Sequence, residues 1–107
     1  MTGVRENQKQ APTHYSLEQN YPNPFNPSTV ITFSVGTYGH TSLRVYDMLG
    51  REVATLINQE ISAGTYNVKF DASKLSSGVY FYRLVSNAVS SGSSDSYILT
   101  KKMILIK

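Results

Sequence analysis

The sequence predicts an all-β fold, an immunoglobulin-like antiparallel β-sandwich of about seven strands. Three observations carry that prediction. Apolar residues recur with period two from Thr29 onward, turn-forming residues separate the apolar runs, and no segment shows a convincing apolar stripe of helical period. Seven short strands with turns between them argue a sandwich, a small barrel being the structural runner-up. The 107 residues suffice for one hydrophobic core and not for two. With 40% hydrophobic and 11% aromatic residues the chain is globular, so disorder of the whole is excluded.

Residues 1–14 are polar and almost without apolar side chains, a composition that cannot offset its own ordering entropy. They are expected to form a tether, with the domain proper at 15–107. The tether has no apolar run of the kind a secretory signal needs, and no window approaches the roughly 18 apolar residues of a membrane-spanning helix. Met1 is therefore expected to open a fragment whose export signal, if it has one, lies on a longer parent chain.

A first strand is expected at about 15–20. Pro22, Pro24 and Pro27 then fix φ and remove backbone donors, so this run is neither helix nor central strand but a stiff, extended lead-in. Ile31, Phe33 and Val35 alternate with Thr32 and Ser34 and place a strand at 29–35; Leu43 and Val45 place one at 41–47. Asp47-Met48-Leu49-Gly50 reads as a type I turn closed by a left-handed glycine, which makes 51–57 the partner in a hairpin. Tyr66, Val68 and Phe70 alternate over 64–70, and two further strands follow at 79–86 and 97–106. Between these last two, 90–96 reads as a flexible Ser-rich loop.

Gly78-Val79-Tyr80-Phe81-Tyr82 has the layout of a tyrosine corner, with Tyr82 where an antibody domain carries its second cysteine. The Tyr80 hydroxyl is expected to reach back to backbone within 71–77. Gly64-Thr65-Tyr66 repeats the Gly-x-Tyr spacing, read as two similar strand starts and not as an internal repeat.

Catalytic chemistry finds little support. There is no cysteine, so disulfides and thiolate metal sites are out of reach. His14 and His40, expected in the tether region and a turn, have no metal-ligand spacing, and no Gly-x-Ser-x-Gly elbow occurs. Asp47 and Asp71 fall in turns, where a carboxylate bonds its own backbone. The net charge of +3 comes from scattered Lys and Arg, not from a stripe that would neutralise phosphates, so nucleic acid is not an expected partner. Eight tyrosines raise the question of sugar stacking, and Tyr38 and Tyr46 are the only plausible exposed pair, better read as cross-strand packing. The last strand is different: from Met103 both parities are apolar, so something covers its second side. It is either a central or two-side-buried strand, or an apolar, Lys-flanked strand that docks on a receptor by strand addition at an exposed edge.

The stretches 21–29 (Tyr-Pro-Asn-Pro-Phe-Asn-Pro-Ser-Thr), 43–53, 63–66, 75–84 and 101–105 (Lys-Lys-Met-Ile-Leu), in that order and spacing, resemble the type A C-terminal sorting domain carried by cargo of the type IX secretion system. The same blocks are similar, less specifically, to the immunoglobulin-like domain of flagellar hook-capping proteins. The sorting resemblance implies a non-enzymatic address label, without cofactors, at the end of a secreted protein of Bacteroidetes-type bacteria. It implies passage through an outer-membrane translocon to the cell surface, and removal of the domain by a sortase-like peptidase cutting within or before 5–14. It further implies that Gly64, Tyr66, Gly78, Tyr80, Lys101, Lys102, Met103 and Leu105 are the recognition elements. The 87–96 segment is longer than the family's usual turn, which leaves the register of the final strand open. A different class of function, a carbohydrate-binding or adhesive module at the end of a secreted hydrolase, is the alternative.

Overall fold

The computed structural model describes residues 14–90 and 93–107. Among these residues, seven strands are arranged in two antiparallel sheets. One holds β1 (Ser16–Leu17), β2 (Ser28–Val35) and β5 (Gly64–Asp71) in the order β1-β2-β5. The other holds β3 (Gly39–Tyr46), β4 (Glu52–Ile61), β6 (Gly78–Ser90) and β7 (Ser93–Leu105) in the order β4-β3-β6-β7. In immunoglobulin lettering these are the A, B and E strands facing C′, C, F and G. β4 stays beside β3 because the tight 47–51 turn gives it no length in which to cross to the other sheet.

That turn forms as expected. The Gly50 N–H donates to the Asp47 carbonyl at 3.0 Å, and Gly50 takes a φ of 84° that a side chain would strain. One Asp47 carboxylate oxygen accepts the N–H groups of Leu49 and Arg51, and the other accepts Arg51 Nε. These donors, the Arg51 N–H foremost, hold the Asp47 carboxyl below the usual carboxylate range. Asp71 is likewise a turn former, accepting the Ser73 N–H at 2.9 Å.

Period-two patterning becomes a core in the way it predicts. Ile31, Phe33 and Val35 from β2 meet Leu43 and Val45 from β3, Tyr82 and Leu84 from β6, and Met103 and Leu105 from β7, none more than 1% exposed. Burying each such side chain contributes about 1.5–3 kcal/mol. Polar residues inside are paired across strands: Thr41 faces Ser86 in register, with hydroxyls 3.0 Å apart.

The structure corrects several expectations. β1 is two residues long, because the chain turns at Asn20 toward the proline run; an isolated bridge between Tyr21 and Val30 continues the pairing. β4 runs on to Ile61, since its polar 58–60 stretch faces solvent while its backbone stays in the ladder with β3. His40 is in β3, not in a turn. Tyr38, just before β3, and Tyr46, its last residue, do not pair: the Tyr38 hydroxyl donates to Glu60, and Tyr46 lies under Arg83. The 90–96 stretch is largely strand, with β6 and β7 paired without a break from Gly78↔Leu105 to Ser90↔Ser93, which settles the final register. Residues 91–92 lie outside the described residues, as does most of the expected tether, 1–13. β7 is an edge strand, not a central one.

Candidate functional site

The register of β6 and β7 gathers most of the sequence-predicted recognition residues. Gly78 pairs with Leu105, Tyr80 with Met103, Phe81 with Lys102, and Tyr82 with Lys101. Met103 and Leu105 point into the core and are fully buried, whereas Lys101 and Lys102 are exposed. Gly64 and Tyr66 are elsewhere. They open β5 in the opposite sheet, and because β5 runs toward the corner from which β6 starts, they lie at the other end of the sandwich.

Tyr80 closes the expected corner, its hydroxyl donating to the Ser76 carbonyl at 2.7 Å. Gly78, two residues earlier, has a φ of 155° that L side chains rarely adopt. Tyr66 does the same at its own strand start, donating to the Ser62 carbonyl at 2.7 Å after Gly64 with φ 156°. Tyr82 is the surprise. Its fully buried ring crosses the core, and its hydroxyl accepts the Asn20 N–H at 2.8 Å and donates to the Glu18 carbonyl at 2.7 Å. A hydroxyl bridge thus ties β6 to the opposite side of the sandwich, from the position where an antibody domain carries a disulfide cysteine. Burial pushes the Tyr82 hydroxyl up to about 12, against the lowering influence of the Asn20 N–H.

The lead-in segment is a strap across the free edge of β7. The Phe25 N–H donates to the Ile104 carbonyl and the Ile106 N–H donates to the Phe25 carbonyl, both at 3.0 Å, making a short parallel bridge. The Ile104 N–H donates to Asn23 Oδ1 at 2.9 Å, and Gln19 Nε2 donates to the Lys102 carbonyl at 2.7 Å. The strap is itself anchored. Phe25 is buried with its ring 6.2 Å from that of Phe70, and Asn20 Nδ2 donates to Thr29 Oγ1 and the Pro22 carbonyl while Thr29 Oγ1 donates to that same carbonyl. Beyond the strand, Lys107 donates from its N–H to Ser77 Oγ and from Nζ to the Ser73 carbonyl. The carboxyl end of β7 is therefore held on both edges, by β6 and by the strap.

Sequence reasoning did not assign Gln19, Asn20, Asn23 and Phe25 this role. The available signal was Phe25, a large apolar residue inside a proline run that had to be buried somewhere. Among the described residues there is no cluster of three or more His, Asp or Glu side chains placed to hold a metal, and no helix long and apolar enough to cross a membrane.

No protein of curated function matches the sequence. Among solved structures, the fold is similar to part of dimeric latent PorU from Porphyromonas gingivalis, with a TM-score of 0.65 and 24% identity over 95% of this chain. The chain spans only 10% of the length of that protein. Residues 19–105, from the strap to the end of β7, match the family described as the secretion system C-terminal sorting domain. With nearly the whole folded unit matched, the chain belongs to the type IX secretion C-terminal sorting domain family, whose members mark a parent chain for transport across the outer membrane.

Proposed function

We propose that this domain is a non-catalytic signal that brings a parent cargo protein to the type IX outer-membrane translocon and then to attachment at the cell surface. In this reading a sortase-like peptidase removes the domain upstream of residue 15 as the cargo is attached. The observation that carries the proposal is the form of the carboxyl end within the matched family region. Lys101 and Lys102 stand exposed on an edge strand whose register is held by β6, the strap and the buried Met103 and Leu105. The two lysines would contact the receptor, and Met103 and Leu105 would fix their presentation. Gly78 and Tyr80 would hold the start of β6 on which that presentation depends, and Gly64 and Tyr66 would do the same for β5. Fixing the presented strand before encounter lowers the ordering cost of binding.

Fusing residues 15–107 to a periplasmic reporter in a type IX-competent host tests the reading. The intact domain is expected to move the reporter to the surface, and deletion of 103–107 is expected to leave it in the periplasm. Retention of the intact fusion, or delivery unchanged by the deletion, would show that the domain is not such a signal.

A further inference from the structure

The outward face of the four-stranded sheet sets two arginines side by side. Arg44 on β3 is the register partner of Arg83 on β6, with Thr55 and Thr100 completing the row on β4 and β7. The neighbouring row is Glu52, Tyr46, Phe81 and Lys102. Like charges directly opposite one another on a sheet face are destabilising. Compensation within the chain is slight. Arg44 lies 3.6 Å from Glu52, whose same carboxylate oxygen also accepts the Thr55 hydroxyl. Arg83 is exposed and stacked 5.1 Å over the Tyr46 ring, with a 3.4 Å bond to the Thr100 hydroxyl, and has no carboxylate partner among the described residues.

Arg83 lines a cavity of about 260 Å³ together with Tyr46, Asp47, Met48, Phe81 and Thr100. Met48 and Leu49, at the tip of the adjoining turn, are 69% and 77% exposed. We propose that this face docks an acidic and apolar segment of a protein partner, one carboxylate lying between Arg83 and Arg44 and its apolar neighbours covering Tyr46, Met48 and Phe81. The planar guanidinium matches a carboxylate two bonds at a time, and the stacking on Tyr46 holds Arg83 in place for it. A polyphosphate or nucleic acid fits poorly, because Lys102 is the only further cation in the two rows, too few to neutralise a run of phosphates, and a phosphate chain has no apolar groups to cover Tyr46, Met48 and Phe81. The binding chemistry stands on this face alone; assigning the partner to the export machinery rests on the sorting reading.

The test titrates the 107-residue chain, isotope-labelled for amide NMR, with the peptide acetyl-Leu-Glu-Phe-Glu-Leu-amide, its Gln-for-Glu counterpart, and inorganic phosphate. The Glu peptide is expected to shift the amides of Tyr46, Phe81, Arg83 and Thr100, with a dissociation constant of about 1 mM or tighter. Arg83→Gln is expected to weaken this about tenfold while leaving the melting temperature unchanged or higher, since a repulsion is removed. No shift, equal shifts with the Gln peptide, equal shifts with phosphate, or shifts confined to another face would each overturn the proposal. In the reporter host, Arg44→Gln with Arg83→Gln is expected to lower surface delivery; normal delivery would detach this face from export. A wild-type domain that fails to export would refute the sorting reading and leave the peptide titration to decide this one.

Discussion

Tyr66 and Tyr80 make the same corner in different surroundings. Each follows a glycine by two residues, at φ 156° and 155°, and each donates to the carbonyl four residues back at 2.7 Å. Tyr80 is buried against the strand that carries Lys101 and Lys102, opposite Met103. Tyr66 is half-buried in the other sheet, its ring stacked at 5.4 Å on Phe33 and its hydroxyl bond open to solvent. A short sequence word can dictate a backbone shape, but the packing around it decides what that shape contributes. A hydrogen bond lost at the surface is replaced by one to water, whereas one lost in the interior is replaced by nothing.

Tyr82 extends the comparison to full burial and gives the largest expected effect. Tyr82→Phe keeps the ring and removes the partner of two backbone groups, the buried Asn20 N–H and the partly buried Glu18 carbonyl. The cost is expected to be about 2–3 kcal/mol, read from urea midpoints at unchanged m-value. The same hydroxyl gives a pH signature. Its folded pKa of about 12 stands above the ordinary value near 10, so between these the unfolded chain releases a proton that the folded one keeps. Below pH 10 both states are protonated and nothing is gained or lost; from about pH 10 to 12 stability falls, by at most about 2.7 kcal/mol and by less to the extent that solvent screens the hydroxyl. Tyr82→Phe should lack that component of the decline, and an identical alkaline slope in both proteins would show that Tyr82 is not the group responsible.

Tyr80→Phe comes next. Its partner, the Ser76 carbonyl, sits in the partly buried corner, so the loss is expected to be about 1 kcal/mol. An unchanged denaturation midpoint would remove the energetic meaning of the corner and reduce Tyr80 to an ordinary core ring. If the variant also lowered reporter delivery while remaining folded, the corner would be shown to act on the presentation of β7 and not only on stability.

The sandwich was legible because period-two alternation is a local property: Ile31, Phe33 and Val35 announce their own face without reference to any other strand. The Asp47 turn and the Tyr80 corner were legible for the same reason, each being written within five residues. The strap was not, since Asn23 and Phe25 meet Ile104 some 80 residues later and nothing local pairs them. Lacking it, the apolar run from Met103 could be read as a central strand. In the structure Met103 and Leu105 face the core, while Phe25 and Asn23 take the backbone edge that another strand would otherwise occupy. The Arg44 and Arg83 pairing is invisible for a related reason, because it exists only once the β3 and β6 register is known.

The smallest expected effect is the sharpest control on the comparison. Tyr66→Phe removes a bond of the same 2.7 Å length and the same four-residue span as that of Tyr80, while keeping the ring that stacks on Phe33. Because the Ser62 carbonyl is reached by water once the hydroxyl is gone, the loss is expected to be about 0.5 kcal/mol or less. A loss equal to that of Tyr80→Phe would mean that the Gly-x-Tyr corner carries its own stability wherever it occurs, and that burial is not what separates the two. A smaller loss assigns the difference to surroundings, since sequence word, bond length and glycine conformation are matched between them.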